Sequence, residues 1–132
     1  MSSQPPSKAQ LWGGRVASAL PVLALLMSAT MKFSHKPDMV AGFVGKFGYP
    51  ESTITPIAVV ELLCTILYVI PQTSVLGAVL LTGYLGGAVA THVRVQDAFI
   101  APVALGVLLW AGLFLRDTRL RALLPLRKLE RT

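Results

Sequence analysis

Four long apolar stretches divide the chain, and little separates them. Residues 11–33, 53–70, 74–95 and 98–116 are built mainly of Leu, Val, Ala, Ile and Gly, with a few charges near their ends. At 1.5 Å of helix per residue, stretches of this length match the roughly 30 Å of hydrocarbon in a bilayer. The second is the shortest, close to the lower limit of about 17 residues, which places its start at Ser52 or Thr53. Pro21 inside the first frees a backbone carbonyl and predicts a kink, and Trp12 near its start suits a membrane interface. Pro71, Gln72 and Thr73 make a tight, uncharged turn, and Arg94 to Asp97 turn the chain again. The connection from Ser34 to Thr55 differs. Met39, Val40, Phe43, Val44 and Phe47 recur there at helical spacing among Lys36, Asp38, Lys46 and Glu51, which predicts a short amphipathic helix on the membrane surface. Gly48, Tyr49 and Pro50 end it, because glycine and proline punctuate helices.

The pattern therefore predicts an all-α polytopic membrane protein. Its core is an antiparallel four-transmembrane-helix bundle with a short interfacial helix between the first and second spans. Residues 1–10 form a polar tail, residues 11–116 the membrane domain, and residues 117–132 a basic amphipathic tail.

Composition agrees with that division. Of 132 residues, 54% are hydrophobic and only 14% charged, against about 25% charged in a soluble domain. The net charge of +6 does not form a basic stripe interleaved with aromatics, which argues against nucleic acid as a partner. The basic residues flank the apolar runs instead. With four spans, Lys8, Arg15, Arg116, Arg119, Arg121, Arg127, Lys128 and Arg131 share one side, and Lys32, Lys36, Lys46 and Arg94 the other. Eight against four places both termini in the cytoplasm. Leu120, Leu123 and Leu124 give the C-terminal tail an apolar side, so it lies on the membrane surface and fixes orientation. Reading the first run as a cleaved signal peptide, with Ser28, Ala29 and Thr30 as the cleavage site, fits poorly: the run is too long and membrane-like segments follow it. The single cysteine, Cys64, excludes a disulfide within the chain.

The topology gathers unusual residues at the end away from the termini. Lys32 closes the first span, Glu61 lies about two turns into the second, His92 and Arg94 end the third, and Asp97 opens the fourth. Glu61 is the sharpest signal, since a carboxylate inside a span needs a partner or a proton and faces the interior or water. Lys32, His92 and Arg94 are the cations in reach. Glu61, Thr65 and Tyr68 share a helix face, with Cys64 beside them, and Ser28, Lys32 and His35 line up on the first helix. Lys32, Glu61, His92 and Arg94 are thus candidates for ligand binding or a proton relay, with Cys64, Tyr68 and Asp97 as secondary candidates. A purely structural ion pair is the competing reading of Glu61.

Cys64 reads as a small buried apolar residue rather than a nucleophile, and Arg94 with Asp97 as a local ion pair. Gly77, Gly83, Gly86 and Gly87, with the small-xxx-small pair Gly83 and Gly87, predict close helix packing. His35, His92 and Glu61 lack the spacing of a metal site, and no nucleotide-binding or nucleophile-elbow motif occurs.

Several of these motifs, in this order, resemble the DoxX-like family of small bacterial four-helix membrane proteins. They are the stretch Ala29 to Phe33 with Lys32, Gly48 to Pro50, Pro56 through Glu61 and Leu62, Ile70 with Pro71, and Gly86 to Arg94, spanning residues 10–117. The resemblance implies a bacterial inner (plasma) membrane. It also implies an auxiliary role in a membrane redox or detoxification system, since the family is named for a subunit resembling part of a thiosulfate:quinone oxidoreductase. It points to Lys32, Glu61, His92 and Arg94 as the polar positions of the family pattern and adds no mechanism. A quinone headgroup or another small polar ligand is the expected occupant of the polar corner. Besides the lipid bilayer, the partners to expect are a soluble or membrane redox subunit and a second copy of the chain. No catalysis is expected of the chain on its own. Two other functions compete: a small proton-coupled exporter using Glu61, and a purely structural or assembly protein.

Overall fold

A computed structural model describes residues 4–127 and 129. Met1 to Ser3, and Lys128 and Arg131 of the basic tail, lie outside the described residues. Helix α1 (Lys8–Ser34) starts where Ser7 and Gln10 cap each other reciprocally, and runs on through Pro21 to a left-handed cap at His35. Helix α2 (Pro37–Val40) continues as a π-helical stretch, Ala41–Lys46, where the sequence predicts the interfacial helix. A single turn, Glu51–Thr53, leads into α3 (Ile54–Val69), so the apolar stretch spans 19 residues although its α-helical part has 16. Helix α4 (Ser74–Arg94) follows the Pro71–Thr73 turn. There Thr73 Oγ1 donates to the Leu67 carbonyl at 2.7 Å and Ser74 Oγ to the Tyr68 carbonyl at 2.7 Å, satisfying orphan acceptors at the end of α3.

Helix α5 (Ile100–Arg116) begins two residues later than the predicted 98. Gln96 adopts a left-handed conformation, and the Asp97 carboxylate takes the Ala98 N–H at 3.0 Å, so the turn extends to Phe99. A short α6 (Thr118–Arg121), capped by Asp117, opens the tail. Leu120 is buried while Leu123 and Leu124 remain exposed.

Each long helix packs on its neighbour in sequence, and α5 closes back on α1, giving an antiparallel four-helix ring with the start of α1 and the end of α5 at one end, the terminal end. Outward faces carry exposed Leu23, Met27, Leu63, Val79 and Val107, whereas Ser18, Glu61, Thr65, Ser74 and Thr91 are buried. Apolar outside and polar within is the arrangement of a bundle solvated by lipid. Among the described residues, three stretches are long and apolar enough to span a bilayer, and α5 is a shorter apolar helix of 17 residues.

The end bearing the termini is packed tightly. Side chains at Gly14 and Gly112 would run into the facing helix, at Arg116 and Ser18 respectively, so these glycines set the α1–α5 approach. Gly77 lies against the backbone of Tyr68 and sets the approach of α3 to α4. Tyr68 O–H donates to the Leu109 carbonyl at 2.6 Å, which leaves its oxygen to accept from Ser18 Oγ at 2.9 Å and ties α1, α3 and α5 together. The prediction for Gly77 holds. That for Gly83 and Gly87 does not: a Cβ at either position meets nothing within 4 Å, so neither glycine packs a helix in this chain.

These contacts make opposite forecasts for two glycines of one helix. Gly77→Ala forces α4 off the Tyr68 backbone and should cost about 1–3 kcal/mol. Gly87→Ala should leave stability unchanged or raise it by up to about 1 kcal/mol, through helix propensity. Unfolding of both variants in mixed detergent micelles checks the pair; equal effects contradict the packing described.

Candidate functional site

The far end of the bundle is open where the terminal end is tight. A cavity of about 730 Å³ lies between α1 and α4 beneath the interfacial segment. Ser28, Met31 and Lys32 line it from α1, Tyr84, Gly87 and His92 from α4, Ile57 from α3, and Phe43, Phe47 and Tyr49 from the segment above. Met27 and Met31 border it while remaining 63% and 51% exposed, so the cavity opens sideways through the lipid-facing surface. Gly83 and Gly87, lacking side chains, leave this space free along α4.

Helix geometry places the charged pair at its edge. Lys32 Nζ donates to Glu61 Oε2 at 2.9 Å and to Ser28 Oγ, one turn earlier on α1, at 2.7 Å. The Glu61 side chain is 1% exposed and that of Lys32 13%. Lys32 lines the cavity and Glu61 does not, so the carboxylate sits behind the ammonium. The Tyr84 phenol lies against Glu61 from α4. A lysine ammonium has three N–H donors, and two are committed here.

Other groups hold the roof in place. Tyr49 O–H and Thr91 Oγ1 share a hydrogen bond of 2.6 Å, and Thr91 Oγ1 donates to the Gly87 carbonyl at 2.8 Å, so Tyr49 is the donor between the two hydroxyls. Tyr49 also stacks on Phe43 with ring centroids 4.9 Å apart. Lys46 Nζ meets Asp97 Oδ2 at 2.9 Å across the two loops. That hydrogen bond, together with the Ala98 N–H, holds the Asp97 carboxyl below the usual aspartate range.

Among the sequence-predicted candidates, then, Lys32 and Glu61 meet, and His92 lines the cavity with Lys32. The ring of His92 is anchored by Nδ1 to the Ala88 carbonyl at 2.7 Å and lies against Phe47. Arg94 does not reach Glu61. Its Nη2 donates to the Phe47 carbonyl and its guanidinium covers the Tyr49 ring at 5.5 Å, outside the cavity lining. Asp97 pairs with Lys46 rather than with Arg94, because the turn at Gln96 swings its carboxylate towards the interfacial segment. Cys64 is buried in the core with Leu25, Leu81 and Leu109, away from the cavity. Tyr68, about two turns past Glu61, belongs to the tight end instead. The face Glu61, Thr65, Tyr68 is buried as predicted, but only its first member joins the site. His35, which aligns with Lys32 in sequence, is exposed and approaches Thr55.

Tyr84 carries no signal of its own in the sequence, and Tyr49, Phe43 and Phe47 read there as parts of the interfacial helix and its end, not as site residues. The α4 face was legible, since Tyr84, Ala88 and His92 recur at four-residue spacing; the roof depends on a tertiary fold-over that no local spacing encodes.

A family model described as the DoxX-like family matches residues 16–112, most of the chain, including Lys32, Glu61, His92 and Arg94. The chain belongs to the DoxX-like family. No curated protein and no solved structure matches it.

Burial of the Lys32–Glu61 pair makes its two members interdependent. Lys32→Met leaves a carboxylate buried without its cation and should destabilise the bundle by about 3–5 kcal/mol. Lys32→Met combined with Glu61→Gln removes both charges and should recover most of that loss. A double-mutant cycle measured by detergent unfolding reads the coupling; additive effects contradict a paired site.

Proposed function

We propose that this DoxX-like membrane protein is an auxiliary subunit of a membrane redox or detoxification system, and that its far-end cavity binds a small amphiphile of the quinone class. The carrying observation is that Lys32, fixed by Ser28 and Glu61, lines a cavity of about 730 Å³ that opens through the lipid-facing surface. That volume falls inside the roughly 300–1,000 Å³ of small-molecule sites, and the lining is largely apolar with a few polar groups, as such sites are. A ligand that partitions into the bilayer reaches it sideways. Its carbonyl oxygen takes the uncommitted N–H of Lys32, and its ring lies among Phe43, Phe47 and Tyr84. Glu61 then acts as a positioning residue that keeps Lys32 at the cavity edge, with a proton route through Lys32 or Tyr84.

The reading includes a location. With eight basic residues on the terminal side and four on the other, both termini lie in the cytoplasm, the bundle crosses the bacterial inner membrane, and the cavity sits in the outer leaflet. Residues 117–132 then lie along the cytoplasmic surface, and electrons come from a separate redox enzyme. The exporter reading needs Glu61 to meet the substrate directly, whereas its carboxylate is 1% exposed, sits behind Lys32 and does not line the cavity.

Titrating a short-chain benzoquinone into the purified protein in nanodiscs, followed by calorimetry, tests the reading. Saturable binding should weaken at least about tenfold in the Lys32→Met/Glu61→Gln variant, a loss of about 1.4 kcal/mol, while the variant stays folded. An absence of saturable binding to the parent, or equal binding to both, would overturn it. A role confined to structure leaves binding absent in both proteins.

A further inference from the structure

A second hollow lies on another face of α4, between α4 and α5, and shares no lining residue with the Lys32 site. It holds about 650 Å³ and is walled by Val89, Val103, Val107, Trp110 and Phe114. Val103 and Val107 are exposed, so this slot also faces lipid. Its space is not a by-product of close helix packing. A Cβ at Gly86 would meet nothing within 4 Å, and one at Gly106 only Leu85 Cδ1 at 3.7 Å, an ordinary contact.

What sets this slot apart from the rest of the lipid-facing surface is its terminal end. There Leu124 and Pro125 fold back over it after α6. Arg121 is fastened beside them. Its guanidinium lies over the Phe114 ring at 5.6 Å, and it donates from Nε to the Phe114 carbonyl at 3.3 Å and from Nη2 to the Leu115 carbonyl at 2.9 Å. Those bonds use two of the five guanidinium N–H donors. Among the described residues no carboxylate pairs with Arg121, whereas neighbouring Arg119 is held by Asp117. The apolar slot therefore ends at Phe114, and over that ring, at the membrane boundary, sits a fixed cation that no carboxylate among the described residues compensates.

One molecule carries both complements. We infer that the α4–α5 slot is a binding site for an anionic phospholipid, with an acyl chain along Trp110 and Val107 and the phosphate on Arg121. A zwitterionic lipid fills the slot but brings its own cation to the arginine, and a soluble phosphate matches the arginine but leaves the slot empty. Charge complementarity at the boundary selects the anionic lipid, and arginine suits a phosphate because its planar fork can form paired hydrogen bonds.

Trp110 makes the site readable. The chain has two tryptophans, and Trp12, on the exposed face of α1, can be removed as Trp12→Phe so that Trp110 reports alone. In phosphatidylcholine vesicles, phosphatidylglycerol with brominated acyl chains should quench Trp110 at a several-fold lower mole fraction than brominated phosphatidylcholine does. Arg121→Gln should abolish that difference and Arg121→Lys should retain part of it. Gly86→Leu, which fills the slot without a backbone clash, should reduce quenching by both lipids. Equal quenching by the two headgroups in the parent, or a preference untouched by Arg121→Gln, would overturn the inference. So would quenching unaffected by Gly86→Leu. A Trp110 silent to both lipids would mean that protein, such as a second copy of the chain, covers the slot, and would overturn it as well.

Discussion

A carboxylate buried inside an apolar bundle has to be neutralised, and the pairing of Glu61 with Lys32 is the constraint to which the far end of this molecule is built. Hydrocarbon outside the helices offers no hydration to either charge, so the two must find each other through protein. The consequence is positional. Glu61 comes from the first half of α3 and Lys32 from the last turns of α1, so their 2.9 Å contact locks these helices in register where the chain leaves for the interfacial segment. Ser28 takes a second donor of the ammonium, and the lysine stem is thereby held along the cavity edge instead of extending to water. A lysine near the end of a span ordinarily snorkels towards the interface; here the carboxylate holds it inside.

The bundle is asymmetric along its axis. At the terminal end, Gly14, Gly77 and Gly112 bring helix backbones together, and Tyr68 ties three helices through a single hydroxyl. Towards the far end, a Cβ at Gly83 or Gly87 of α4 would meet nothing within 4 Å, and space remains. The same residue type thus serves two ends in opposite ways: glycine facing a neighbour closes an interface, and glycine facing none leaves room. Over that room the interfacial segment is fastened at separate points, by Tyr49 to Thr91, by the Phe47 carbonyl to Arg94 and by Lys46 to Asp97. Arg94 and Asp97, which in sequence look like partners of each other, are both spent on holding this roof.

Much of this architecture is legible in the sequence because its signals are local. Length and apolar content mark the helices, and Pro71 marks a turn. Glu61 announces itself by being in the wrong solvent, and few cations are near enough to answer it. What stays hidden is which cation answers and which glycines pack. Lys32, His92 and Arg94 all end helices at the same height, and the choice among them rests on helix rotation and on the turn at Gln96, set by long-range packing. Gly77 and Gly83 look equivalent along α4, yet only the first faces α3. The aromatic roof is hidden for the same reason, since nothing within the π-helical stretch says that it folds over α1 and α4.

The central claim is that a ligand drawn from the bilayer rests against Lys32 beneath that roof. Photo-crosslinking with a photoreactive quinone in proteoliposomes, followed by mass-spectrometric mapping, addresses it directly. Adducts should cluster on Met27, Met31, Phe43 and Tyr84, be suppressed by excess unlabelled quinone and be lost in Lys32→Met/Glu61→Gln. Adducts scattered over the lipid-facing surface, or a cluster that persists undiminished in that variant, would contradict it.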